Sequence, residues 1–344
     1  MSVIRKEDGA GGKYMVELLK KHVFPKIASR AGEIALEDME DSSDFCDDFA
    51  FTTDSYVVSP PIFRGGSIGS LSVCGTSNDL AVMGAKPEFM SLALVIQDGF
   101  PLGDFRRIMD DIRDSVELVN LSIITGDTKV VESNVGIIVN TAGIGRRSEE
   151  LERNLEVLRE LRDYPYRWVR DKGLKEGDAI IVSGSIAEHA AVIMAERMGF
   201  EVEFKSDVYP VWLFVREALR RGGVTAMKDP TRGGIAAALN EMAEKSGVGI
   251  KIFEERIPLK DEVRGLCELL GLDPLTMANE GKVVFGVHPE MADEVLKALH
   301  KAGQKEAEII GYATKEFAEV VLETAVGTTR VVPQPISDPI PRVC

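Results

Sequence analysis

The stretch GGSIGSLSVCGTSNDLAVMGAKP, residues 65–87, decides the fold. Its glycine-rich opening is a turn, and the residues that follow carry a helix to Met83. Just before it, CDDFAFTTDSYVVSPPIF (46–63) is rich in strand formers such as Phe49, Phe51, Val57 and Val58, and Pro60-Pro61 stops the strand. Just after it, Phe89–Ile96 reads as a near-continuous apolar strand and residues 101–119 as an amphipathic helix. Further strands are expected at Ser122–Thr125 and Val135–Ile144. Strand and helix alternate, so the class is α/β.

Working outward, a glycine cluster at residues 9–12 precedes an amphipathic helix over Tyr14–Ile27. Residues 146–176 are dense in Arg, Glu and Leu at helical spacing, which predicts a solvated helical connector. A second α/β unit opens near Asp178 with a strand at Ala179–Ser183. Helices are expected to Arg197, over Pro210–Arg221, near 233–245, near 260–270 and over Met291–Ala302, with strands at 248–253, 282–287, 306–312 and 318–323. The expected division is 1–160, 161–330 and a tail, 331–344. That tail, VVPQPISDPIPRVC, holds four prolines in fourteen residues, which forbids a helix and favours a stiff extended arm.

The 344 residues carry a net charge of −15, with no excess of Lys and Arg to displace counterions from nucleic acid. No run of eighteen apolar residues and no secretory leader is present, so the expected location is the cytoplasm, away from membranes. Four scattered cysteines and four scattered histidines show no metal-ligand spacing; Cys74 and Cys267 read as core residues.

Neither GxxxxGK[ST] nor GxGxxG occurs. Instead, acidic residues recur at strand ends beside Gly, Thr or Asn: Thr52-Thr53-Asp54, Thr76-Ser77-Asn78-Asp79, Gly126-Asp127-Thr128-Lys129, Asp229-Pro230-Thr231-Arg232-Gly233-Gly234 and Ala278-Asn279-Glu280-Gly281. Magnesium takes oxygen ligands and shares them with phosphates, so a few such carboxylates suffice for a metal–triphosphate site. Each piece alone is more often a turn or a cap. A lone terminal cysteine is usually incidental, yet Cys344 at the tip of a stiff arm is a thiol that can visit a site.

These pieces resemble the HypE family of hydrogenase maturation proteins, relatives of aminoimidazole ribonucleotide synthetase. The resemblance rests on residues 8–12, FTTDSYVVSP (51–60), the 65–87 stretch, ITGDTKVV (124–131), DPTRGG (229–234), ANEG (278–281) and the Pro341-Arg342-Val343-Cys344 ending. It implies two α/β domains and an N-terminal sheet that forms a β-barrel across a homodimer. It also implies ATP-dependent dehydration of an S-carbamoyl group on Cys344 to S-cyanate. Partners would be a HypF-like carbamoyltransferase as donor and an iron-carrying HypC–HypD-like complex as acceptor.

Carried onto this chain, the resemblance makes Cys344, Glu280 and Lys129 the catalytic candidates. Gly9, Gly11, Gly12, Thr53, Asn78, Thr128 and Arg232 would meet ATP. Asp54, Asp79, Asp127 and Asp229 would hold Mg2+. The stretch Ser185–Ala190 departs from the family's Gly-Asp-His-Gly pattern, so no role is assigned to residues 187–190. Two rivals stand beside this reading: a selenophosphate synthetase or thiamine-phosphate kinase type acting on a diffusible substrate, and a non-enzymatic scaffold presenting its thiol.

Overall fold

The computed structural model describes residues 3–9, 12–27, 29–336, 339–340 and 342–344. Helix α1 (Gly12–Leu18) runs through a wider turn into α2 (Phe24–Ile27). Strands β1 (Ser43–Phe45) and β2 (Phe49–Tyr56) and the short hairpin β3 (Ile62–Phe63) and β4 (Gly66–Ser67) lead into α3 (Ile68–Val82). Then come β5 (Ala85–Gln97), α4 (Leu102–Val119), β6 (Ser122–Val131) and β7 (Ile137–Arg147). The first sheet has the order β1-β2-β7-β5-β6.

The second unit starts with α5 (Glu149–Leu161), β8 (Ala179–Val182), α6 (Glu188–Met198), α7 (Trp212–Arg221) and β9 (Val224–Lys228). It continues with α8 (Gly234–Ser246), β10 (Gly249–Phe253), α9 (Asp261–Leu270) and β11 (Val284–Val287). It closes with α10 (Ala292–Lys301), β12 (Glu308–Thr314), β13 (Val320–Glu323) and β14 (Thr329–Val331). Its sheet order is β14-β13-β10-β12-β8-β11-β9. Along β8, Ile180 and Val182 pack with α6 and α8, while Ile181 packs with α7 and α10. Period-two alternation sends neighbouring side chains to opposite faces, so this sheet is covered on both.

The first sheet is covered on one face only. Every residue of α3 except Ser70 and Asp79 is buried, as expected of a helix apolar on all sides. Thr52, Asp54 and Tyr56 share the α3 face. Gly75 permits that approach, because a Cβ there would stand 2.3 Å from the Tyr56 hydroxyl. On the other face, Phe51 pairs with Ile144 and Ile144 with Phe89, a stripe that no helix among the described residues covers. Phe51 and Phe89 stay exposed, and so is every residue of β6.

Three expectations change. Residues 146–176 are not a solvated connector: Leu151, Leu155, Leu158, Tyr164, Trp168 and Val169 are buried in the core that holds α7 and α10. Strand β9 goes unread in the sequence because all five of its residues are buried, leaving no alternation to see. The tail is not a free arm but lies docked, with Val332, Ile340 and Val343 buried. Among the described residues no helix is long and apolar enough to cross a membrane.

Candidate active site at the seam of the two sheets

The units are clamped together at Asn78. Its amide donates to the carbonyls of Tyr209 (3.1 Å) and Glu280 (3.2 Å), and its oxygen accepts from the Val211 N–H (2.8 Å). Three hydrogen bonds from one side chain make Asn78 a joint between the units.

The clamp brings α3 and β2 against the ends of β9 and β11, and four of the predicted acids converge there. Asp54, half-buried, accepts from the hydroxyls of Tyr56 (3.1 Å) and Thr76 (3.3 Å). Asp79 accepts from Thr52 at 2.8 Å. Asp229 leaves the end of β9, and Glu280 lies in the loop before β11; both are buried. Burial pushes the Asp79 carboxyl well above its usual range, and Asp54 and Asp229 push it further. Burial and Asp41 push Asp229 up to about 8. Burial, Asp207 and Asp229 raise Glu280 well above the usual carboxylate range, with Arg232 opposing. A cluster of desolvated carboxyls repelling one another is a site arranged for a positive charge or for proton exchange.

Three members escaped the sequence reading. Lys228 pairs with Asp41 at 2.5 Å and with Glu241 at 3.3 Å, next to Asp229. Asp207 accepts the Glu280 N–H (3.2 Å) and faces Lys282 at 3.4 Å. Lys228 was hidden with its strand; Asp41 and Asp207 carry no motif.

Other candidates lie elsewhere. Asp127, Thr128 and Lys129 are on the exposed strand β6, where Lys129 pairs with Asp127 at 2.8 Å. Ser55, Asn140, Ala93 and Asp127 stand in one row across the sheet. That row is three strand spacings, or about 14 Å, wide. Asp127 and Lys129 project from the uncovered face, opposite Asp54, so within one chain they are not brought to the acid cluster. Thr53 also points to that face, donating to the Thr141 carbonyl at 3.0 Å. Thr128 shares the Asp54 face but sits at the sheet edge. GGSIG (65–69) has the spacing of a nucleophile elbow, but Ser67 is buried and caps α3, its hydroxyl accepting from the Gly69 N–H at 3.1 Å.

The glycine cluster meets both the acid seam and the tail. Arg232, on the loop after Asp229, reaches the Gly9 carbonyl at 3.3 Å. Gly12 has φ +67°, and a Cβ there would stand 2.5 Å from the Ile336 carbonyl oxygen. Gly11 lies outside the described residues. The final residues run beside α6: the Arg342 carbonyl accepts from Arg197 (2.7 Å) and the Ser59 N–H (3.2 Å), and the Val343 carbonyl meets His189 at 2.8 Å. Cys344 is partly buried against the core that holds α6 and α8. Within the 187–190 stretch, to which the sequence assigned no role, His189 touches the tail.

Glu280 Oε1 is buried without a hydrogen-bond donor among the described residues. Among those residues no three His, Cys, Asp or Glu side chains form a ready-made chelate. This suits magnesium shared between a few carboxylates and phosphate oxygens better than a closed metal cage.

Two family models match the chain: AIR synthase related protein, N-terminal domain, over residues 44–147, and its C-terminal domain over 175–322. A chain of Methanocaldococcus jannaschii, provisionally named a hydrogenase expression/formation protein, is 49% identical, covering 99% of each. The carbamoyl dehydratase HypE of Rhizobium leguminosarum is 40% identical over 98% of this chain and 93% of its own. Among solved structures, a HypE–HypF complex superposes with TM-score 0.82 at 36% identity, covering 92% of this chain and 99% of the other. A HypE in complex with ATP gives 0.79 at 29%, covering 99% and 100%. A thiamine monophosphate kinase from Aquifex aeolicus, at 20% identity and TM-score 0.57 over 84% and 94%, shares the fold.

Proposed function

This chain belongs to the HypE family of carbamoyl dehydratases, and from that premise we propose how its own residues divide the work. It is an ATP-dependent enzyme of hydrogenase maturation that converts an S-carbamoyl group on Cys344 to S-cyanate. In balance, the thiocarbamate S–C(=O)–NH2 and ATP give S–C≡N, ADP and phosphate. ATP supplies the phosphoryl group that lets the amide oxygen leave, and both N–H protons are lost.

Asp54, Asp79 and Asp229 would hold Mg2+ and, through it, the phosphates, and Arg232, Gly9 and Gly12 would meet the nucleotide. Supporting this, their mutual repulsion is relieved by a cation, and the loop from Asp229 opens α8, whose N-terminus favours anions. Glu280 takes a proton from the carbamoyl nitrogen. Burial, Asp207 and Asp229 raise its affinity for a proton, and its buried Oε1, without a donor among the described residues, is an acceptor for an N–H. That orphaned, repelled carboxyl in a seam that also reaches the tail is the observation that carries the assignment.

Asp127 and Lys129 serve the site of a second copy. The uncovered stripe of Phe51, Ile144 and Phe89, and the exposed apolar residues Ile123, Ile124 and Val130 of β6, are what a homodimer would cover. A HypF-like transferase would load Cys344, and a HypC–HypD-like iron complex would take the cyano group. The reduced thiol this chemistry needs fits the cytoplasm.

The test is stoichiometric. With the transferase and carbamoyl donor present, one ADP should form per chain loaded, and Cys344→Ala should form none. Equal ADP from wild type and Cys344→Ala would sink the assignment in favour of a diffusible substrate.

A further inference from the structure

The carbonyls of Arg342 and Val343, in the last two peptide units, are both held from α6. Helix α6 opens at Ala187, whose φ of 72° turns the chain so that His189 faces the tail. His189 Nε2 lies 2.8 Å from the Val343 carbonyl. A carbonyl only accepts, so Nε2 carries the proton. Nδ1 then accepts, and Ser206 Oγ, 2.8 Å away, donates to it while accepting the Val208 N–H at 3.2 Å. Every polar atom in this relay is satisfied by one neutral tautomer. Burial lowers the His189 pKa and favours that form. The edge of Phe63, with ring centres 5.2 Å apart, fixes the imidazole plane.

Two turns along the same helix, Arg197 holds the preceding carbonyl, that of Arg342, at 2.7 Å. Arg342 has φ +58°, a conformation that costs an ordinary residue about 1 kcal/mol or more and persists only when its surroundings hold it. Ile340 and Val343 are both buried beside these contacts. The same short segment that buttresses His189 through Ser206 also carries Asp207, which accepts the Glu280 N–H at 3.2 Å. The grip on the tail and the placement of Glu280 therefore share one strut.

We infer that His189 is the positioning residue of the terminal arm: with Arg197 it seats the last two peptide units so that Cys344 is presented in register with the Glu280 loop. The grip from α6 reads main-chain carbonyls, while Ile340 and Val343 supply the apolar fit and the Arg342 side chain donates to the Val135 carbonyl at 3.3 Å. The catalytic consequence rests on the reading of Cys344 as the carrier, whereas the grip itself does not.

Timed alkylation of the full chain by iodoacetamide, mapped by mass at each cysteine, tests the grip without any turnover. Exposed Cys46 is the fast reference, and buried Cys74 and Cys267 are the protected ones. Wild-type Cys344 should react more slowly than Cys46. His189→Ala should speed Cys344 about tenfold, the factor expected for one buried hydrogen bond lost. His189→Gln, which keeps an N–H donor, should return most of the protection. Cys74 and Cys267 should stay silent throughout. An unchanged Cys344 rate, or Cys74 and Cys267 opening together with it, would overturn the inference. In the carbamoylated chain, single-turnover dehydration should slow about tenfold in His189→Ala, with ATP affinity within twofold, and recover in His189→Gln. Release of Cys344 by His189→Ala in a chain that dehydrates nothing would leave the grip standing and overturn the carrier reading instead.

Discussion

Replacing Asp229 by Asn should make the unliganded protein more stable while removing its response to magnesium and ATP. The carboxyl titrates near 4 in an unfolded chain. In the fold it is raised to about 8, first by burial and then by Asp41. Between those values the folded state keeps a proton that the unfolded state has released. Stability therefore falls as pH rises through that window, by about 1.4 kcal/mol per pH unit for this group. From pH 6 to 8 the loss is about 2 kcal/mol, which at about 2–4 °C per kcal/mol for a chain this large is about 4–8 °C in Tm. Asn is neutral throughout, so the variant should lack that part of the slope and melt higher at pH 8. Scanning calorimetry at pH 6, 7 and 8, with and without magnesium and ATP, reads both effects. Wild type should gain several degrees from the nucleotide, because a cation favours the ionised carboxylate, and the variant should gain little. Parallel Tm–pH lines for the two proteins, or equal nucleotide stabilisation, would refute the electrostatic account of the cluster.

Asn78→Ala should cost about 3 kcal/mol, since three buried main-chain groups lose their partner, and a lowered urea midpoint would register it. Gly12→Ala combines a left-handed backbone with a Cβ aimed at the Ile336 carbonyl, so it should dislodge the tail and speed alkylation of Cys344. If Lys129 serves a neighbouring site, mixing Lys129→Ala with Cys344→Ala chains should restore up to one active site per mixed dimer; no recovery would place Lys129 with its own chain's thiol.

Much of the architecture was legible because α/β alternation is a local property: the helix from Ile68 and the strand through Phe51–Asp54 follow from composition and turns alone. Burial is not local. Leu151, Leu155 and Leu158 look like the apolar stripe of a solvated helix until α7 and α10 supply the surface that covers them. The prolines of the tail dictate its backbone shape, but docking depends on His189 and Arg197, which sit some 150 residues earlier in the chain. The acid cluster was readable because Asp54, Asp79, Asp229 and Glu280 each lie in a short stretch that also holds glycine, Thr or Asn, although Asp54 and Asp79 fall inside β2 and α3 rather than at an element's edge. Asp127 and Lys129 belong to the same kind of motif, yet strand register puts them on the opposite face, which no spacing rule reveals. His189 was passed over because its surroundings depart from the family pattern around it.

The central claim is that Cys344 carries the group that is dehydrated. Intact-protein mass, with the adduct mapped by fragmentation, tests it most directly in the chain incubated with a carbamoyl donor and its transferase. The account predicts a carbamoyl adduct on Cys344 that loses the mass of one water only after ATP is added. An adduct on any other residue, or the same loss of water without ATP, would contradict it.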